Sequence, residues 1–296
     1  GTEYYDGHAL YTGEWKNGMR NGKGKEMDGS GKVVFMGEWK NGKGKGTEMD
    51  GDGNVVYEGE WWNGKRNGMG YERDENRVMK RVCVYENGRM KRVVQEFSGE
   101  MMIEYDESGK KVYEGGFNGF DRNGKGYCFN VDGKDMEYCL YENGQLKRVI
   151  QMFNGNEMTE NDANGKRVYV GGYTGDMKSG FVRNGRGYCI IEDKAKQYGE
   201  FEQGLMKRVI QEFDGSTMTE YNENGVMSYL GEWKGDMKGG YVKEGKGREY
   251  DKDGETALYS GDWKNGEREG FGTEYYDGHA LYTGEWKNGM RNGKGK

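Results

Sequence analysis

A duplicated segment constrains this chain more than any other feature of its sequence. The first 25 residues, GTEYYDGHALYTGEWKNGMRNGKGK, recur without a change at residues 272–296, so the chain holds one period of 272 − 1 = 271 residues plus an overlap. Self-similarity at a fixed period is the signature of solenoids and other repeat arrays. Both ends consist of ordinary repeat sequence, so we expect a segment of a longer tandem array. An engineered sequence could also contain an exact duplicate, but the unequal lengths of the repeats described next favour a natural origin.

Shorter repeats lie inside this period. Alignment on the motif Tyr-x-Gly-x-Trp-x-x-Gly divides it into ten repeats of 22 to 32 residues. Their bounds are 11–34, 35–56, 57–80, 81–112, 113–136, 137–168, 169–196, 197–228, 229–258 and 259–281. The 32-residue repeats at 81–112, 137–168 and 197–228 form a second type, here called long repeats. We treat residues 1–296 as one continuous array of these repeats.

The fifth residue of each of these repeats, long or standard, is aromatic. These fifth-position aromatics are Trp15, Trp39, Trp61, Tyr85, Phe117, Tyr141, Tyr173, Phe201, Trp233, Trp263 and Trp286. A position that is always aromatic predicts a buried stripe. The third residue is Gly in every repeat except two, where Cys83 and Cys139 stand. Small residues there predict that a neighbouring aromatic ring lies across the strand.

Each standard repeat has the pattern of a β-hairpin. A short alternating strand such as Tyr11–Lys16 leads into Asn17-Gly18, a strong reversal signal, and a second strand follows near Gly22. A second reversal is rich in Asp and Gly, and no 3.6-residue periodicity predicts a helix. In the long repeats, about eight additional residues are expected to lengthen the strands or to add a protruding hairpin. At about 4.8 Å per strand, ten two-stranded repeats would advance roughly 95 Å per period, as a rod.

The segment Tyr11–Gly24, YTGEWKNGMRNGKG, resembles the MORN repeat (membrane occupation and recognition nexus). The same spacing of aromatic and Gly positions recurs at Tyr57–Gly70, Tyr259–Gly272 and Tyr282–Gly295. The resemblance implies an all-β fold, an elongated single-layer solenoid of stacked hairpins with aromatic residues along a groove. It also implies functions of the family: cytoskeletal scaffolds, proteins that link membranes, accessory domains, and the traditional assignment of phospholipid binding.

Composition excludes several classes of function. With 45 basic and 51 acidic residues the net charge is −6, which disfavours nucleic acid and anionic membranes as partners. Hydrophobic residues make up only 33%, too few for a thick core, while 14% aromatics and a strict repeat argue against disorder. The sequence indicates no cofactor.

The four cysteines follow the repeat rather than a ligand spacing. Cys83 and Cys139 share one position of the repeat, and Cys128 and Cys189 share another. No C-x-x-C motif or dense disulfide framework is present, so packing is the favoured interpretation over redox or metal roles. We expect a location in the cytoplasm, including the cytoskeleton, with an extracellular fibre as the alternative.

Catalytic chemistry finds little support. The two histidines, His8 and His279, are the same position one period apart, and no nucleophile or partner accompanies them. We therefore predict no enzyme and no catalytic residue. Weak calcium binding is the alternative for two turns that place carboxylates two residues apart, at Asp50 and Asp52 and at Asp251 and Asp253. Neither has the full ligand set of a calcium loop, which favours plain turns.

Basic pairs recur in the long repeats. They are Lys91 and Arg92, Lys147 and Arg148, and Lys207 and Arg208, each at the start of a Val/Ile-bearing strand. They form a candidate interaction ladder for an acidic partner, although charge on exposed strands also blocks unwanted edge pairing.

The sequence favours a structural repeat protein, a filament-forming or scaffold component whose partner is a further copy of itself. A protein-binding platform that uses the aromatic groove or the Lys-Arg ladder is the alternative. Peripheral association with phospholipid is a second alternative.

Overall fold

The computed structural model describes residues 1–62, 64–130 and 135–296. Over these residues the chain forms β-strands and turns, with no helix, so the predicted all-β fold is confirmed. The described part accordingly has no helical segment able to cross a lipid bilayer. Residue 63 of the predicted repeat 57–80, and residues 131–134 of the repeat 113–136, lie outside the described residues.

The chain divides into two compact units, Gly1–Arg148 and Val149–Lys296. The strands of the N-terminal unit are β1 (Thr2–Tyr5), β2 (His8–Lys16), β3 (Met19–Met27), β4 (Val33–Lys40), β5 (Lys43–Met49), β6 (Val55–Trp62), β7 (Lys65–Arg73), β8 (Met79–Glu86), β9 (Arg89–Ser98), β10 (Met101–Tyr105), β11 (Lys111–Asn118), β12 (Asp121–Phe129) and β13 (Asp135–Glu142). Strand β14 (Gln145–Asn154) contains the boundary between the units.

The remaining strands of the C-terminal unit are β15 (Glu157–Asn161), β16 (Arg167–Asp176), β17 (Gly180–Ile191), β18 (Lys194–Glu202), β19 (Leu205–Asp214), β20 (Thr217–Tyr221), β21 (Met227–Asp236), β22 (Gly240–Tyr250), β23 (Ala257–Lys264), β24 (Glu267–Tyr276), β25 (His279–Lys287) and β26 (Met290–Gly295). Within each unit, strands that follow one another in the chain pair antiparallel.

The Asn-Gly reversals explain why consecutive strands pair. Asn17 and Gly18 have φ values of 51° and 73°. Both central residues of a two-residue turn with positive φ give a type I′ turn, whose twist matches that of the strands it joins. Lys16 and Met19 are therefore direct partners. The sequence prediction of a hairpin at this position is correct.

The first hairpin of each standard repeat contains a β-bulge, except in the repeat at 35–56. In β2 and β3, Gly13 pairs with Gly24 and Trp15 with Arg20, so three residues face one. In β4 and β5, Gly37 pairs with Gly46 and Trp39 with Gly44, with no shift of register. The repeat at 35–56 is two residues shorter here, and its hairpin is regular for that reason.

The long repeats contain three strands each, so the prediction of two strands per repeat is wrong for them. Their third strands are β10, β15 and β20. Each pairs on both sides within the sheet, as β10 does with β9 and β11. The additional residues thus neither lengthen two strands nor form a protruding hairpin.

The long repeat of the N-terminal unit moves the buried aromatic residues from one face of the sheet to the other. Residues paired directly across antiparallel strands share a face, and adjacent residues in a strand lie on opposite faces. Direct pairs link Tyr57, Glu72, Arg81 and Glu96 on the first face. Direct pairs link Val82, Gln95, Glu104 and Tyr113 on the second face. The repeat that starts at Tyr113 therefore buries its tyrosine on the opposite face from the repeat that starts at Tyr57.

The C-terminal unit contains the same change of face. Direct pairs link Tyr169, Cys189, Gln197 and Glu212. On the opposite face, direct pairs link Tyr198, Gln211, Glu220 and Tyr229. In both units the first residue of the long repeat is polar, Arg81 or Gln197, so this repeat has no ring at its first position on the face that the array leaves.

Candidate functional site

A tyrosine at the first position organises each standard repeat except the one that begins with Phe35. These first-position tyrosines are Tyr11, Tyr57, Tyr113, Tyr169, Tyr229, Tyr259 and Tyr282. Each ring lies flat over its own hairpin, and its hydroxyl donates to the carbonyl three residues later; Tyr113 donates to Gly116 at 2.8 Å. The ring needs glycine beneath it: a Cβ on Gly70 would lie 2.5 Å from Cε2 of Tyr57. The predicted ring over the third-position glycine thus comes from the same repeat.

The fifth-position aromatics join neighbouring repeats. Tyr11 contacts Trp15 of its own repeat and Trp39 of the next, with ring centroids 5.2 Å apart in both pairs and nearly perpendicular planes. Edge-to-face pairs of this kind each contribute about 0.5–1.5 kcal/mol beyond burial. Further links between repeats are Phe35 to Trp61, Tyr57 to Tyr85, Tyr113 to Tyr141, Tyr169 to Phe201, Tyr229 to Trp263 and Tyr259 to Trp286. The rings form a zipper in which each repeat covers its neighbour.

Most of the predicted aromatic stripe is buried. Trp39, Trp61, Tyr85, Tyr141, Phe201, Trp263 and Trp286 are buried, and Phe117, Tyr173 and Trp233 are half-buried. Trp15 differs, with 36% of its surface exposed against 4% for Trp286, the same residue one period later. Trp286 packs on Tyr259 of the preceding repeat. Stacking of a preceding repeat therefore buries this tryptophan.

A row of cations over the tyrosines was missed in the sequence. The guanidinium of Arg66 lies 4.3 Å from the ring centroid of Tyr57, and it also pairs with Glu48 at 2.7 Å and Glu72 at 3.1 Å. Equivalent cations are Arg20, Arg122, Arg183, Lys243, Arg268 and Arg291. In the sequence, each of these cations is the residue directly before an Asn-Gly or Glu-Gly pair in the second strand of its hairpin, and this position could have identified them. Burial raises the pKa of Tyr57 to about 12, partly offset by Arg66.

A glutamine in each long repeat holds the hairpin that follows. In the N-terminal unit, Gln95 Nε2 donates to the Phe120 carbonyl at 3.0 Å and to Glu104 at 3.1 Å. Gln151 and Gln211 make the matching bonds to the carbonyls of Phe181 and Tyr241. The sequence shows that the long repeats share this Gln and a Phe two residues later, as in Gln95 and Phe97. The contacts of these side chains could not be predicted, because they depend on the third strand.

A groove opens on the second face of the N-terminal unit, beside the change of face. It has a volume of ≈ 680 Å³, and its apolar wall comprises Met69, Tyr71, Val82, Val94 and Phe120. The Tyr71 and Phe120 rings are 5.6 Å apart. Gly46, Gly59 and Gly70 form a flat floor, and Lys45, Glu58 and Glu60 supply charge around it.

The equivalent places elsewhere in the chain hold a tyrosine ring. Tyr127 stacks on Tyr138 at 4.6 Å, and Tyr188 stacks on Tyr198 at 4.5 Å. Register makes Val82, the partner of Tyr71, the counterpart of Tyr138 and Tyr198. The groove is thus the space that a second ring fills in the other long repeats.

The Lys-Arg ladder is engaged within its own hairpins. Lys91, Lys147 and Lys207 pair across the turn with Glu86 at 3.2 Å, Glu142 at 3.1 Å and Glu202 at 3.6 Å. Arg208 pairs with Glu200 at 2.9 Å, Arg92 lies opposite Val84, and Arg148 also has a partner. Exposed pairs of this kind contribute little, about 0–1 kcal/mol.

The calcium-like carboxylates act as turn acceptors. Asp50 accepts the N–H groups of Asp52 and Asn54, and the bond from Asn54 holds the pKa of Asp50 below its usual range. Asp253 accepts three bonds from Glu255 and Thr256, and Asp251 accepts one from the Lys252 N–H. Across residues 1–62, 64–130 and 135–296, no group of three or more potential metal ligands comes together. His8 and His279 lie exposed at the starts of β2 and β25.

These features define an antiparallel hairpin-repeat protein held together by an aromatic zipper. Its sequence matches the MORN repeat family over residues 11–33, 35–55, 57–77, 259–280 and 282–296. The chain thus contains five MORN repeats, and its long repeats lie between the third and the fourth of these matched segments.

Other comparisons add no functional information. No curated protein sequence is significantly similar to the chain. Alternansucrase in complex with isomaltononaose is 14% identical with a TM-score of 0.22, covering 82% of this chain and 20% of that one. The TcdB2-TccC3-Cdc42 structure is 8% identical with a TM-score of 0.15, covering 89% of this chain and 18% of that one. The chain spans about a fifth of the length of these structures, and scores this low carry no argument.

Proposed function

We propose that the chain is a structural scaffold in which 271-residue periods stack on one another through the aromatic zipper. The observation that carries this proposal is the equivalence of the duplicated segments. Thr2 pairs with Thr12 and Tyr5 with His8. One period later, Thr273 pairs with Thr283 and Tyr276 with His279. The second copy thus continues the preceding repeat with the same register, as a tandem array requires.

The burial of the duplicated tryptophan gives this stacking an energetic basis. Trp286 rests on Tyr259 and donates its indole N–H to the Gly272 carbonyl at 3.2 Å. In a chain with two periods, the second copy of Trp15 would occupy this buried place. Each added period therefore contributes the same ring contact that joins repeats within the present chain.

The test compares three proteins: residues 1–296, a two-period chain in which residues 1–271 precede residues 1–296, and the same two-period chain with a flexible Gly-Ser insert between Asp6 and Gly7 of the second period. We expect continuous stacking to give cooperative unfolding and a higher Tm for the uninterrupted two-period chain, because nearest-neighbour interfaces add stability in repeat arrays. The insert should remove this gain. Equal Tm values for the two long chains would refute stacking across the seam.

A binding platform is the second candidate, and the groove beside Tyr71 favours it. Most zipper rings are buried, whereas the space beside Val82 lacks the ring that occupies the equivalent place in the other long repeats. We propose that it accepts an aromatic side chain of a partner peptide. Val82→Tyr should fill the groove and abolish capture of Tyr- or Phe-containing peptides from a peptide library. Unchanged capture by this variant would exclude the groove as the binding site.

A further inference from the structure

Two thiols meet at one place in the N-terminal unit. Gly126 pairs with Cys139 and Cys128 with Glu137, so the cysteines are diagonal neighbours on the same face of β12 and β13. The two thiols lie close enough that each affects the pKa of the other. Cys139 is fully buried, whereas Cys128 is half-buried.

The repeat provides two internal comparisons for this pair. The register gives Cys83 the same position as Cys139, but Glu72 stands where Cys128 would be. Cys189 has the position of Cys128, but Gly199 stands where Cys139 would be. Each position thus tolerates cysteine separately, and only the repeat that starts at residue 137 brings two thiols together.

Polar groups surround the Cys128 sulfur on the same face. Tyr141 Oη lies 2.9 Å from Cys128 Sγ, and Arg122 Nη1 donates to the sulfur at 3.7 Å. Arg122 also donates to Tyr141 Oη at 3.2 Å, while Glu104 accepts from its other nitrogens. A guanidinium and hydrogen-bond donors beside a thiol stabilise its thiolate.

The other neighbouring titratable groups are one carboxylate and one phenol. Glu137 lies directly opposite Cys128 on β13 and accepts from the Cys139 thiol at 3.9 Å. Tyr113 lies directly opposite on β11. Glu137 opposes ionisation of Cys128, so the thiolate depends on Arg122 and on the donors.

We propose that Cys128 is a thiol–disulfide exchange site that reacts with small-molecule disulfides. Its thiolate attacks one sulfur of the disulfide, the new S–S bond joins Cys128 to that half, and the other half leaves as a thiolate. Electrons and atoms balance without a further oxidant. Tyr141 acts as a positioning residue that donates a hydrogen bond to the attacking sulfur. Cys139, whose thiol donates to Glu137, acts as a second positioning residue beside it.

The pKa values of the four thiols also distinguish Cys128 from the other three. The neighbouring Cys139 thiol is the main cause that lowers the pKa of Cys128 to about 6. The neighbouring Cys128 raises the pKa of Cys139, and burial raises it further. Burial raises the pKa of Cys83 and of Cys189.

These directions predict a measurable difference in rate. At pH 5.5, about 24% of a thiol with a pKa of 6 is thiolate, against about 0.03% for a pKa of 9. Intrinsic nucleophilicity falls with pKa, which reduces this advantage by about 20-fold for a Brønsted coefficient near 0.45. Cys128 should therefore react about 30-fold or more faster than Cys83 or Cys189 at pH 5.5.

The experiment treats the folded full-length chain with dithiobis(nitrobenzoate) at pH 5.5, stops the reaction by alkylation, and assigns each cysteine by peptide mass spectrometry. Cys128→Ser should remove the fast phase. Cys139→Ala and Tyr141→Phe should keep Cys128 but slow it several-fold and shift its pH–rate midpoint upward. Far-ultraviolet circular dichroism confirms that each variant is folded.

A gain-of-function variant supplies the matched control. Arg66, Tyr85 and Cys83 surround Glu72 as Arg122, Tyr141 and Cys139 surround Cys128, with Arg66 Nη1 donating to Tyr85 Oη at 3.3 Å. Glu72→Cys should therefore create a second fast thiol. The proposal is overturned if Cys128 reacts no faster than Cys189, if Cys139 reacts first, or if Cys139→Ala and Tyr141→Phe leave both rate and midpoint unchanged.

Discussion

Replacement of Gly70 by alanine tests whether the ring over the hairpin holds the repeat together. A Cβ at this position would lie 2.5 Å from Cε2 of Tyr57, whereas ordinary carbon contacts are about 3.5–4.0 Å. The ring must move by about 1 Å or more. It is held between Trp61 at 5.6 Å and Tyr85 at 5.3 Å, with Arg66 against its face.

The expected cost follows from these contacts. Overpacking costs about 1–3 kcal/mol. Two weakened edge-to-face pairs and one cation–π contact add about 0.5–1.5 kcal/mol and 0.5–1 kcal/mol each at most. If about half of these ring contacts are lost, Gly70→Ala should lower the free energy of unfolding by about 2–5 kcal/mol, measured by guanidinium denaturation with tryptophan emission as the signal.

Two controls isolate the cause of this loss. Gly51 lies in a turn with no atom within 4 Å of an added Cβ, so Gly51→Ala should change stability by no more than about 0.5 kcal/mol. In a Tyr57→Leu background, Gly70→Ala should cost much less, because the ring that it meets is gone. A cost below about 1 kcal/mol in the wild-type background, or the same cost in both backgrounds, would show that the ring does not require the glycine.

Further predictions concern the groove, the glutamine and the buried phenols. Val82→Tyr should stabilise the N-terminal unit by about 0.5–1.5 kcal/mol in denaturant unfolding, because the new ring stacks on Tyr71 as in the other long repeats; a destabilised variant would contradict this. Gln211→Leu should cost about 1–3 kcal/mol, because the Tyr241 carbonyl loses its donor, and an unchanged midpoint would refute the contact. Burial raises the pKa of Tyr57 and its equivalents to about 12 from 10.0, so they stay neutral in the folded chain and stability should hold below pH 10 and fall between pH 10 and 12. Absorbance at about 295 nm should show this class of phenols ionising well above pH 10, the usual value of a free phenol; a single transition near pH 10 would contradict it.

The local structure of the standard repeat could be predicted from the sequence. Tyr11, Gly13 and Trp15 alternate with polar residues, and Asn17-Gly18 specifies the reversal, so strand and turn are encoded within one short segment. The stripe of fifth-position aromatics follows from the same alternation. Local signals of this kind survive in the structure because tertiary packing agrees with them.

The change of face could not be predicted in this way. It depends on a bulge near Val94 and on a third strand at Met101–Tyr105, and a shift of one residue moves a whole strand to the other face. The groove at Val82 depends on that register. The closeness of Cys128 and Cys139 depends on the register of β12 and β13. Residues 11 apart in sequence become neighbours there only because Gly126 faces Cys139. The cations over the rings occupy a recognisable position in the motif, but their role could not be inferred without knowing that a tyrosine ring lies beneath each of them.

The direction of the ring contacts bears on how such a chain folds during synthesis. Trp39 and Trp286 each cover a tyrosine that precedes them in the chain, so a new repeat closes on one that has already left the ribosome. Contacts that span only one or two repeats carry little loop-closure cost and favour rapid folding. In the most recently synthesised repeat, the tyrosine is not yet covered by the aromatic residue of the following repeat. Synthesis and folding can thus advance together from the N-terminus, so that only a short unfolded segment of the chain is exposed at any time.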